Sequence, residues 1–90
     1  MYCVYILKSL KDQGLYIGRT NNFERRFREH NSGQVPSTKS RRPFVLLETI
    51  EVHSEADSVK LELEYKKGYK REELKRKYKE AWMSGLNQQS

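Results

Sequence analysis

Residues 2–30 read YCVYILKSLKDQGLYIGRTNNFERRFREH, and this stretch decides the fold. Its start, Tyr2 to Leu7, is rich in β-branched and aromatic residues and predicts a strand that is buried on both faces. A polar turn from Lys8 to Gly14 and a second strand from Leu15 to Gly18 follow. The two strands form a hairpin, in which a tyrosine of one strand lies close to a tyrosine of the other.

The end of the same stretch predicts a helix from about Asn22 to His30. On a 3.6-residue wheel its two phenylalanines mark the side that faces the core, and Arg26 and His30 lie at the edge of that side. The hairpin tyrosines, Tyr5 and Tyr16, are therefore followed closely by an arginine and an imidazole one helical turn apart. So many reactive groups exceed what a small chain needs in order to fold.

The rest of the chain predicts one more strand and two more helices, with Asn21 and Ser54 as the N-caps of the first two helices. The predicted segments are an irregular loop at 34–43, a strand from Phe44 to Val52, a helix from Ser54 to about Lys67 and a helix from about Lys70 to Trp82. The order ββαβαα predicts an α+β domain over residues 1–82, a small three-stranded antiparallel sheet flanked by helices. Residues 83–90 have no pattern and predict a disordered tail.

Composition narrows the classes of partner. Eighteen Lys and Arg residues against twelve Asp and Glu give a net charge of +6, which favours a polyanionic partner. The single cysteine, Cys3, excludes an internal disulfide and any zinc finger built on cysteine pairs. No stretch is long and apolar enough for a membrane span or a signal peptide, so we expect a cytoplasmic protein without a membrane partner.

The reactive groups suit the hydrolysis of a phosphodiester, which needs an activated water and neutralisation of the charge that develops on phosphorus. A phenol is a poor base at its free pKa of ~10, and neighbouring cations such as Arg19 and Arg26 would lower that pKa. Arg26 also presents a planar fork to phosphate oxygens, and His30 could position a phenol or contact phosphate. Taken singly, each of these residues is more simply explained by packing, solvation or helix capping.

A divalent metal at such a site needs a hard oxygen ligand, and Glu62 in the second predicted helix is the candidate. Lys66, one turn later, could hold that carboxylate or contact nucleic acid. The simpler interpretation is an exposed Glu–Lys pair worth a few tenths of a kcal/mol. By spacing alone Glu55, Glu64 and, within the third strand, Glu48 are also available.

The chain resembles the GIY-YIG nucleases. From Tyr16 to Gly33, YIGRTNNFERRFREHNSG is similar almost position by position to the second block of that family's signature. That block is YIG, a Ser or Thr two residues later, an apolar residue, an Arg, and a His after three more residues. The first block, GIY in the family name, corresponds to CVY at residues 3–5, which keeps the tyrosine. Residues 60–66, KLELEYK, look like the segment that supplies the metal-binding Glu in small one-domain members.

The resemblance implies a fold, an activity and roles for individual residues. It implies a GIY-YIG-like α+β domain and a metal-dependent DNA endonuclease that uses Mg²⁺ or Mn²⁺ and leaves a 5′-phosphate and a 3′-hydroxyl. Tyr5 or Tyr16 would be the base or would position the water, and Arg26 would stabilise the phosphate. Glu62 would be the metal ligand, with His30 and Arg19 in support.

Basic residues that flank these positions would hold the DNA backbone with little sequence readout. The candidates are Arg25, Arg28, Lys39, Arg41, Arg42 and Lys66. Two alternatives remain open: a nucleic-acid-binding module of the same fold without turnover, and a subunit that becomes active only with a protein partner, which could also supply targeting. Single-stranded, duplex and branched DNA stay equally possible, RNA stays open, and repair or defence against mobile elements are the pathways that such a fold suggests.

Overall fold

The computed structural model describes residues 1–78, which form a three-stranded antiparallel sheet with three α-helices. The elements are β1 Tyr2–Ser9, β2 Leu15–Thr20, α1 Phe23–Ser32, a short 3-10 helix Lys39–Arg41, β3 Phe44–Val52, α2 Glu55–Tyr65 and α3 Gly68–Lys77. This order confirms the predicted ββαβαα architecture and α+β class. The predicted end of the third helix at Trp82 and the predicted tail at 83–90 lie outside the described residues.

Strand β1 is the centre of the sheet, which has the strand order β2-β1-β3. Every residue from Val4 to Ser9 is buried, which confirms the prediction of a strand covered on both faces. The predicted turn begins too early, because Lys8 pairs with Leu15 on one side and with Val45 on the other. The hydrogen-bonded pairing with both neighbouring strands therefore extends β1 beyond Leu7 to include the polar Lys8. Burial lowers the pKa of the Lys8 ammonium group.

The alternation of side chains along β1 divides the core in two. Val4 and Ile6 point to one side, here called the aliphatic face, where Leu74 of α3 and apolar residues of α2 cover them. Tyr5 and Leu7 point to the other side, here called the aromatic face. Two phenylalanines of α1 pack on that face, as the helical wheel predicts. Helix α1 therefore lies on the opposite side of the sheet from α2 and α3.

The helix ends follow local hydrogen bonding. The N-cap of α1 is Asn22 rather than the predicted Asn21, because the Asn22 side chain accepts a hydrogen bond from the Arg25 backbone N–H at 3.1 Å. Gly33, with φ of 84°, ends the helix in the left-handed region. No helix within residues 1–78 has the length and apolar character needed to cross a bilayer.

The start of α2 is the predicted one, since the Ser54 hydroxyl accepts the Asp57 backbone N–H at 3.1 Å. The helix ends at Tyr65, slightly before the predicted Lys67. Helix α3 begins at Gly68, two residues before the predicted Lys70. The structure does not require a glycine at this position, because no atom lies within 4 Å of a Cβ placed on Gly68.

An ion pair between Asp12 and Arg41 connects the β1–β2 turn to the segment that precedes β3. The Arg41 guanidinium lies 2.8 Å from the Asp12 carboxylate, which also accepts the Gly14 backbone N–H at 2.8 Å. The Ser9 hydroxyl donates to the Arg41 carbonyl oxygen at 2.6 Å. The hydrogen bonds from Arg41, followed by the Gly14 N–H and then the charge of Arg41, lower the pKa of Asp12 to about 2.

This ion pair should make part of the free energy of unfolding depend on pH in the acidic range. Because the pKa of Asp12 is lower in the folded chain than its unfolded value of ~3.9, the stabilisation is complete above about pH 4 and is lost as pH falls toward 2. We expect Asp12→Asn to lower the melting temperature at pH 6, with the difference from the unaltered chain vanishing near pH 2. A double-mutant cycle with Arg41→Gln tests the assignment, since additive losses would mean that the two residues are not coupled.

Candidate active site

The site begins with a register of the sheet that places Tyr5 opposite Gly18. A Cβ at Gly18 would lie 2.5 Å from both Cζ and Oη of Tyr5, so the phenol extends across the space that a side chain would fill. Tyr16 lies on the same face of β2, and its ring centroid is 6.2 Å from that of Tyr5. The hairpin therefore brings the two tyrosines together as predicted.

Gly18→Ala should disturb both tyrosines. The new methyl group would overlap the Tyr5 ring and would also lie 3.0 Å from Cε2 of Tyr16. Tyr5 is 1% exposed, so its ring cannot move away from the new methyl group without displacing its neighbours. We expect a loss of about 1–3 kcal/mol in the free energy of unfolding, measured by urea denaturation. Gly68→Ala is the matched control because its Cβ would meet no atom within 4 Å; equal stability of the two variants would contradict the prediction.

His30 reaches the tyrosines from α1 and is fully buried, rather than lying at the edge of the core as the wheel suggested. Its Nε2 lies 2.9 Å from the Tyr5 hydroxyl and its Nδ1 lies 2.8 Å from the Thr38 hydroxyl. The ring centroids of His30 and Tyr16 are 4.8 Å apart. Burial, followed by the charge of Arg26, lowers the pKa of His30. The imidazole is therefore neutral at pH 7.

Arg26 lies beside the Tyr5 phenol and forms a 3.0 Å ion pair with Glu29. Its side chain is 37% exposed, so it reaches both the buried phenol and solvent. Arg26 lowers the pKa of the Tyr5 phenol as expected, but the net shift is in the opposite direction, and that pKa is raised to about 12. Burial is the largest cause and Tyr16 adds to it, and together they outweigh the opposing effect of Arg26.

Glu62 and Arg19 lie on the aliphatic side of the sheet, where α2 crosses β2. The Glu62 carboxylate is 3.2 Å from Nε of Arg19 and 3.1 Å from Nζ of Lys66, and the predicted Glu62–Lys66 pair is therefore present. The charge of Glu62 contributes to the raised pKa of Tyr5, so the carboxylate is within electrostatic range of the phenol. The predicted site residues thus lie on the two faces of the sheet at the edge strand β2. The tyrosines and His30 lie on the aromatic face, and Glu62 and Arg19 lie on the aliphatic face.

The other candidate ligands have different neighbours. Glu48 accepts hydrogen bonds from Lys77 at 3.2 Å and from the Tyr78 hydroxyl at 2.9 Å. Glu64 pairs with Lys67 at 3.1 Å, and Glu55 lies 3.6 Å from Arg19. Among these acidic side chains, Glu62 is the one whose charge affects Tyr5.

Glu62 offers a single carboxylate to a divalent ion, and the cations Arg19 and Lys66 flank that carboxylate. Within residues 1–78 there is no group of three His, Cys, Asp or Glu side chains that could form a closed metal site. Mg²⁺ commonly uses one or two protein carboxylates and completes its shell with water and substrate phosphates. Glu62, 18% exposed, is open enough for this if the metal displaces Arg19 or Lys66.

The predicted DNA-binding residues differ in how strongly the protein already engages them. Arg28 and Lys39 are exposed, and Arg25 is exposed with a loose 3.7 Å pair to Glu29. Arg42 donates to the Lys39 carbonyl oxygen at 2.9 Å and packs over Gly33. Arg41 is held by Asp12 and by the Leu15 carbonyl oxygen at 3.3 Å, which makes it the least available of the set. Their contacts with nucleic acid stay a prediction.

Similarity to known proteins points to one family. The family model described as the GIY-YIG catalytic domain matches residues 1–79 of the 90-residue chain. The chain belongs to the GIY-YIG family. This confirms the resemblance seen in the sequence, and the matched range contains every predicted site residue from Tyr5 to Lys66. Nucleases of this family act on DNA and generally depend on a divalent metal.

Several GIY-YIG relatives are UPF0213 proteins. One from Syntrophus aciditrophicus is 44% identical over 73 residues, which cover 79% of this chain and 83% of the relative. Another from Staphylococcus haemolyticus is 40% identical over 73 residues, covering 80% and 88%. The solution NMR structure of a UPF0213 protein from Bacillus halodurans is 36% identical, with a TM-score of 0.52 over 82% of each chain. The fold and the GIY-YIG membership therefore agree between sequence and structure.

Thr38 is the residue around the site that the sequence analysis missed. It lies in the segment predicted as an irregular, polar loop, yet its side chain is fully buried against His30. No local pattern distinguishes it from the exposed serine and lysine next to it. Only the fold of the loop back over α1 brings it to the imidazole.

Proposed function

We propose that this chain is a metal-dependent DNA endonuclease that hydrolyses phosphodiester bonds. The observation that carries the proposal is the 2.9 Å contact between the Tyr5 hydroxyl and Nε2 of a neutral, buried His30 in a GIY-YIG chain. A phenol paired with a proton acceptor, and placed beside an arginine, suits the activation of water next to a phosphate. Neither tyrosine alone would support the same conclusion.

The raised pKa of Tyr5 determines how this pair would work. With a pKa of about 12 the phenol is protonated at neutral pH, so it can act as a base only if it gives up its own proton in the same step. Water passes a proton to the Tyr5 oxygen, and the Tyr5 proton moves to Nε2 of His30, which becomes an imidazolium. The hydroxide oxygen forms a bond to phosphorus, the bond from phosphorus to the 3′-oxygen breaks, and that oxygen takes a proton from solvent.

Arg26 controls access to the phenol in this proposal. In the free protein Tyr5 is 1% exposed and the Arg26 guanidinium lies beside it. A charged phosphate is a stronger partner for a guanidinium than a neutral phenol. Substrate binding therefore draws Arg26 onto the phosphate oxygens and opens a place for the attacking water at Tyr5. Tyr16, half-buried next to His30, positions that water from the solvent side.

Glu62 is the proposed ligand for Mg²⁺ or Mn²⁺. When bound, the ion would stabilise negative charge on the phosphate and on the leaving oxygen. Arg19 and Lys66 hold the carboxylate in place before the substrate arrives, and one of them would turn to the DNA when the ion binds. The exposed cations of α1 and of the following loop, with Arg41 as a weaker contributor, contact the DNA backbone.

The experiment that tests the proposal uses end-labelled single-stranded, duplex and branched DNA. Each substrate is incubated with the purified chain in Mg²⁺, in Mn²⁺ and in EDTA, and the ends of the products are mapped. We expect metal-dependent cleavage that leaves 5′-phosphates. Salt-sensitive binding without cleavage would instead support the non-catalytic module, and cleavage only with an added cell fraction would indicate a required protein partner. DNA processing such as repair is consistent with the cytoplasmic location expected from the sequence.

A further inference from the structure

We propose that Thr38 is a positioning residue, which accepts the Nδ1–H of His30 and so leaves Nε2 of the imidazole unprotonated toward Tyr5. The catalytic meaning of this inference rests on the proposed function, because it concerns the group that takes the Tyr5 proton. The hydrogen bond itself is independent of any activity and can be measured without DNA.

The first line of argument comes from the Thr38 hydroxyl. It is fully buried, lies 2.8 Å from Nδ1 of His30 and has the Val35 carbonyl oxygen at 3.4 Å. A hydroxyl has one proton, and a carbonyl oxygen can only accept. If the hydroxyl donates to Val35, its oxygen is left to accept from the imidazole. With that arrangement Nδ1 carries the ring proton.

The backbone keeps this hydroxyl in place. The Thr38 N–H donates to the Val35 carbonyl oxygen at 3.1 Å, and the Thr38 carbonyl oxygen accepts the Arg41 N–H at 2.9 Å. The residue is fixed on both sides in a turn whose next segment also holds Arg41 against Asp12. Thr38 therefore presents its oxygen to His30 from a rigid support, which is what a positioning group requires.

The second line of argument comes from the Tyr5 hydroxyl, which contacts the other ring nitrogen of His30. A guanidinium has donors only, so the Tyr5 oxygen must accept from Arg26 where the two interact. The one proton of Tyr5 is then directed to Nε2 of His30, which is possible only if that nitrogen is unprotonated. The Thr38–Val35 contact and the Tyr5–Arg26 contact therefore indicate the same tautomer of His30.

The alternative tautomer would stop the proposed proton transfer. With the proton on Nε2, the Tyr5 oxygen would receive donors from both Arg26 and His30, and its own proton would face no acceptor. Tyr5 could then take no proton from water. The buried hydroxyl of Thr38 thus selects the form of the imidazole that can work at pH 7.

The test uses two substitutions, one that removes the hydroxyl of Thr38 and one that keeps it. Thr38→Val keeps the shape of the side chain but removes the oxygen, whereas Thr38→Ser keeps the oxygen. The tautomer is read from two-bond ¹⁵N–¹H correlation spectra of the imidazoles. The chain has two histidines, and the exposed His53 supplies the reference ring. The same samples are melted thermally to establish that they are folded.

We expect the Nδ1–H tautomer of His30 in the unaltered chain and in Thr38→Ser. In Thr38→Val we expect a shift toward the Nε2–H tautomer, because the buried Nδ1–H loses its acceptor while the Tyr5–Arg26 contact still favours Nδ1–H. In cleavage assays Thr38→Val should lower kcat by about 10²–10⁴-fold with KM little changed, and Thr38→Ser should stay within a few-fold. The groups facing His30, which are Tyr5, Tyr16, Arg26 and Glu29, are the same in all three proteins. A merely structural role for Thr38 would change melting without shifting the tautomer.

Two results would overturn the inference. An Nε2–H tautomer in the unaltered chain would show that Thr38 does not accept from His30, whatever the activity. An unchanged kcat in a folded Thr38→Val protein would show that the bond does not affect proton transfer. If the unaltered chain cuts none of the DNA substrates, the proposed function fails together with the catalytic part of this inference, while the spectra still decide the hydrogen bond.

Discussion

We expect Arg26→Ala to lower the kcat for DNA cleavage by about 10²–10³-fold, the usual cost of removing one donor that stabilises developing negative charge. The guanidinium lies beside the Tyr5 phenol and is 37% exposed, so it can turn to a phosphate. Its loss removes the fork for the phosphate and also the charge that holds down the pKa of His30. Gel assays of labelled DNA under single-turnover conditions measure the effect.

The pH profile distinguishes these two contributions of Arg26. His30 must be neutral to accept a proton, so activity falls as pH drops through its pKa. Because the charge of Arg26 lowers that pKa, the residual activity of Arg26→Ala should be lost at higher pH than that of the unaltered chain. Of the other groups that face His30, Glu29 opposes the effect of Arg26, and Tyr5, whose pKa is raised, stays protonated over the acidic range. The Tyr16 ring packs against the imidazole.

Two further variants control the Arg26 experiment. Arg26→Lys keeps the charge but loses the planar fork, so we expect intermediate activity with the acidic limb of the profile in its original place. Arg76→Ala removes an exposed arginine of α3 and should cut at the normal rate. Loss of the 3.0 Å pair with Glu29 costs only a few tenths of a kcal/mol, so melting should hardly change. Equal kcat for the alanine variants at positions 26 and 76 would refute the phosphate role.

Glu62→Gln should lower metal-dependent cleavage by about 10³-fold, because a metal ion supplies several kcal/mol of charge stabilisation and each 1.4 kcal/mol is tenfold in rate. The substitution keeps the shape of the side chain and removes the anionic ligand. Binding should behave differently from cutting. Arg19 and Lys66 lose their carboxylate partner at 3.2 and 3.1 Å and become available to DNA. We therefore expect equal or tighter salt-sensitive binding, measured by fluorescence anisotropy, together with lost cleavage.

Glu64→Gln is the matched control, since it makes the same chemical change on the same helix. Glu64 pairs with Lys67 at 3.1 Å, away from Arg19. We expect normal cleavage and a normal response to Mg²⁺ and Mn²⁺. If both glutamine variants cut at the same reduced rate, net charge rather than a ligand at position 62 explains the effect. If neither is impaired, the proposed metal ligand is wrong.

Much of the fold could be predicted because local signals and tertiary structure agree. The strand β3 and the Ser54 cap were found with their observed bounds, since β-branched runs and capping residues mark both. The errors occur where several residues serve equally well or where a neighbour extends an element. Asn21 and Asn22 are the same residue type, so the sequence does not distinguish which of them caps α1. Lys8 belongs to β1 because it pairs with strands on both sides.

The site was predictable in its components but not in its details. The hairpin and the helical spacing were enough to bring Tyr5, Tyr16 and His30 together. The direction of the Tyr5 pKa shift was not predictable, because it depends on how completely the phenol is buried. The contact between Thr38 and His30, eight residues apart, depends on how a loop folds back, which no periodic pattern records.

The contact between Tyr5 and Gly18 has a consequence for how such sequences diverge. The ring of one residue fills the volume that a side chain of the other would need, with only 2.5 Å between Oη and an added Cβ. A larger residue at 18 is acceptable only if a smaller one replaces the tyrosine, and each change alone is penalised. Positions in two separate blocks of the signature therefore form one steric unit, and their joint presence in a new sequence is stronger evidence for this site than either letter by itself.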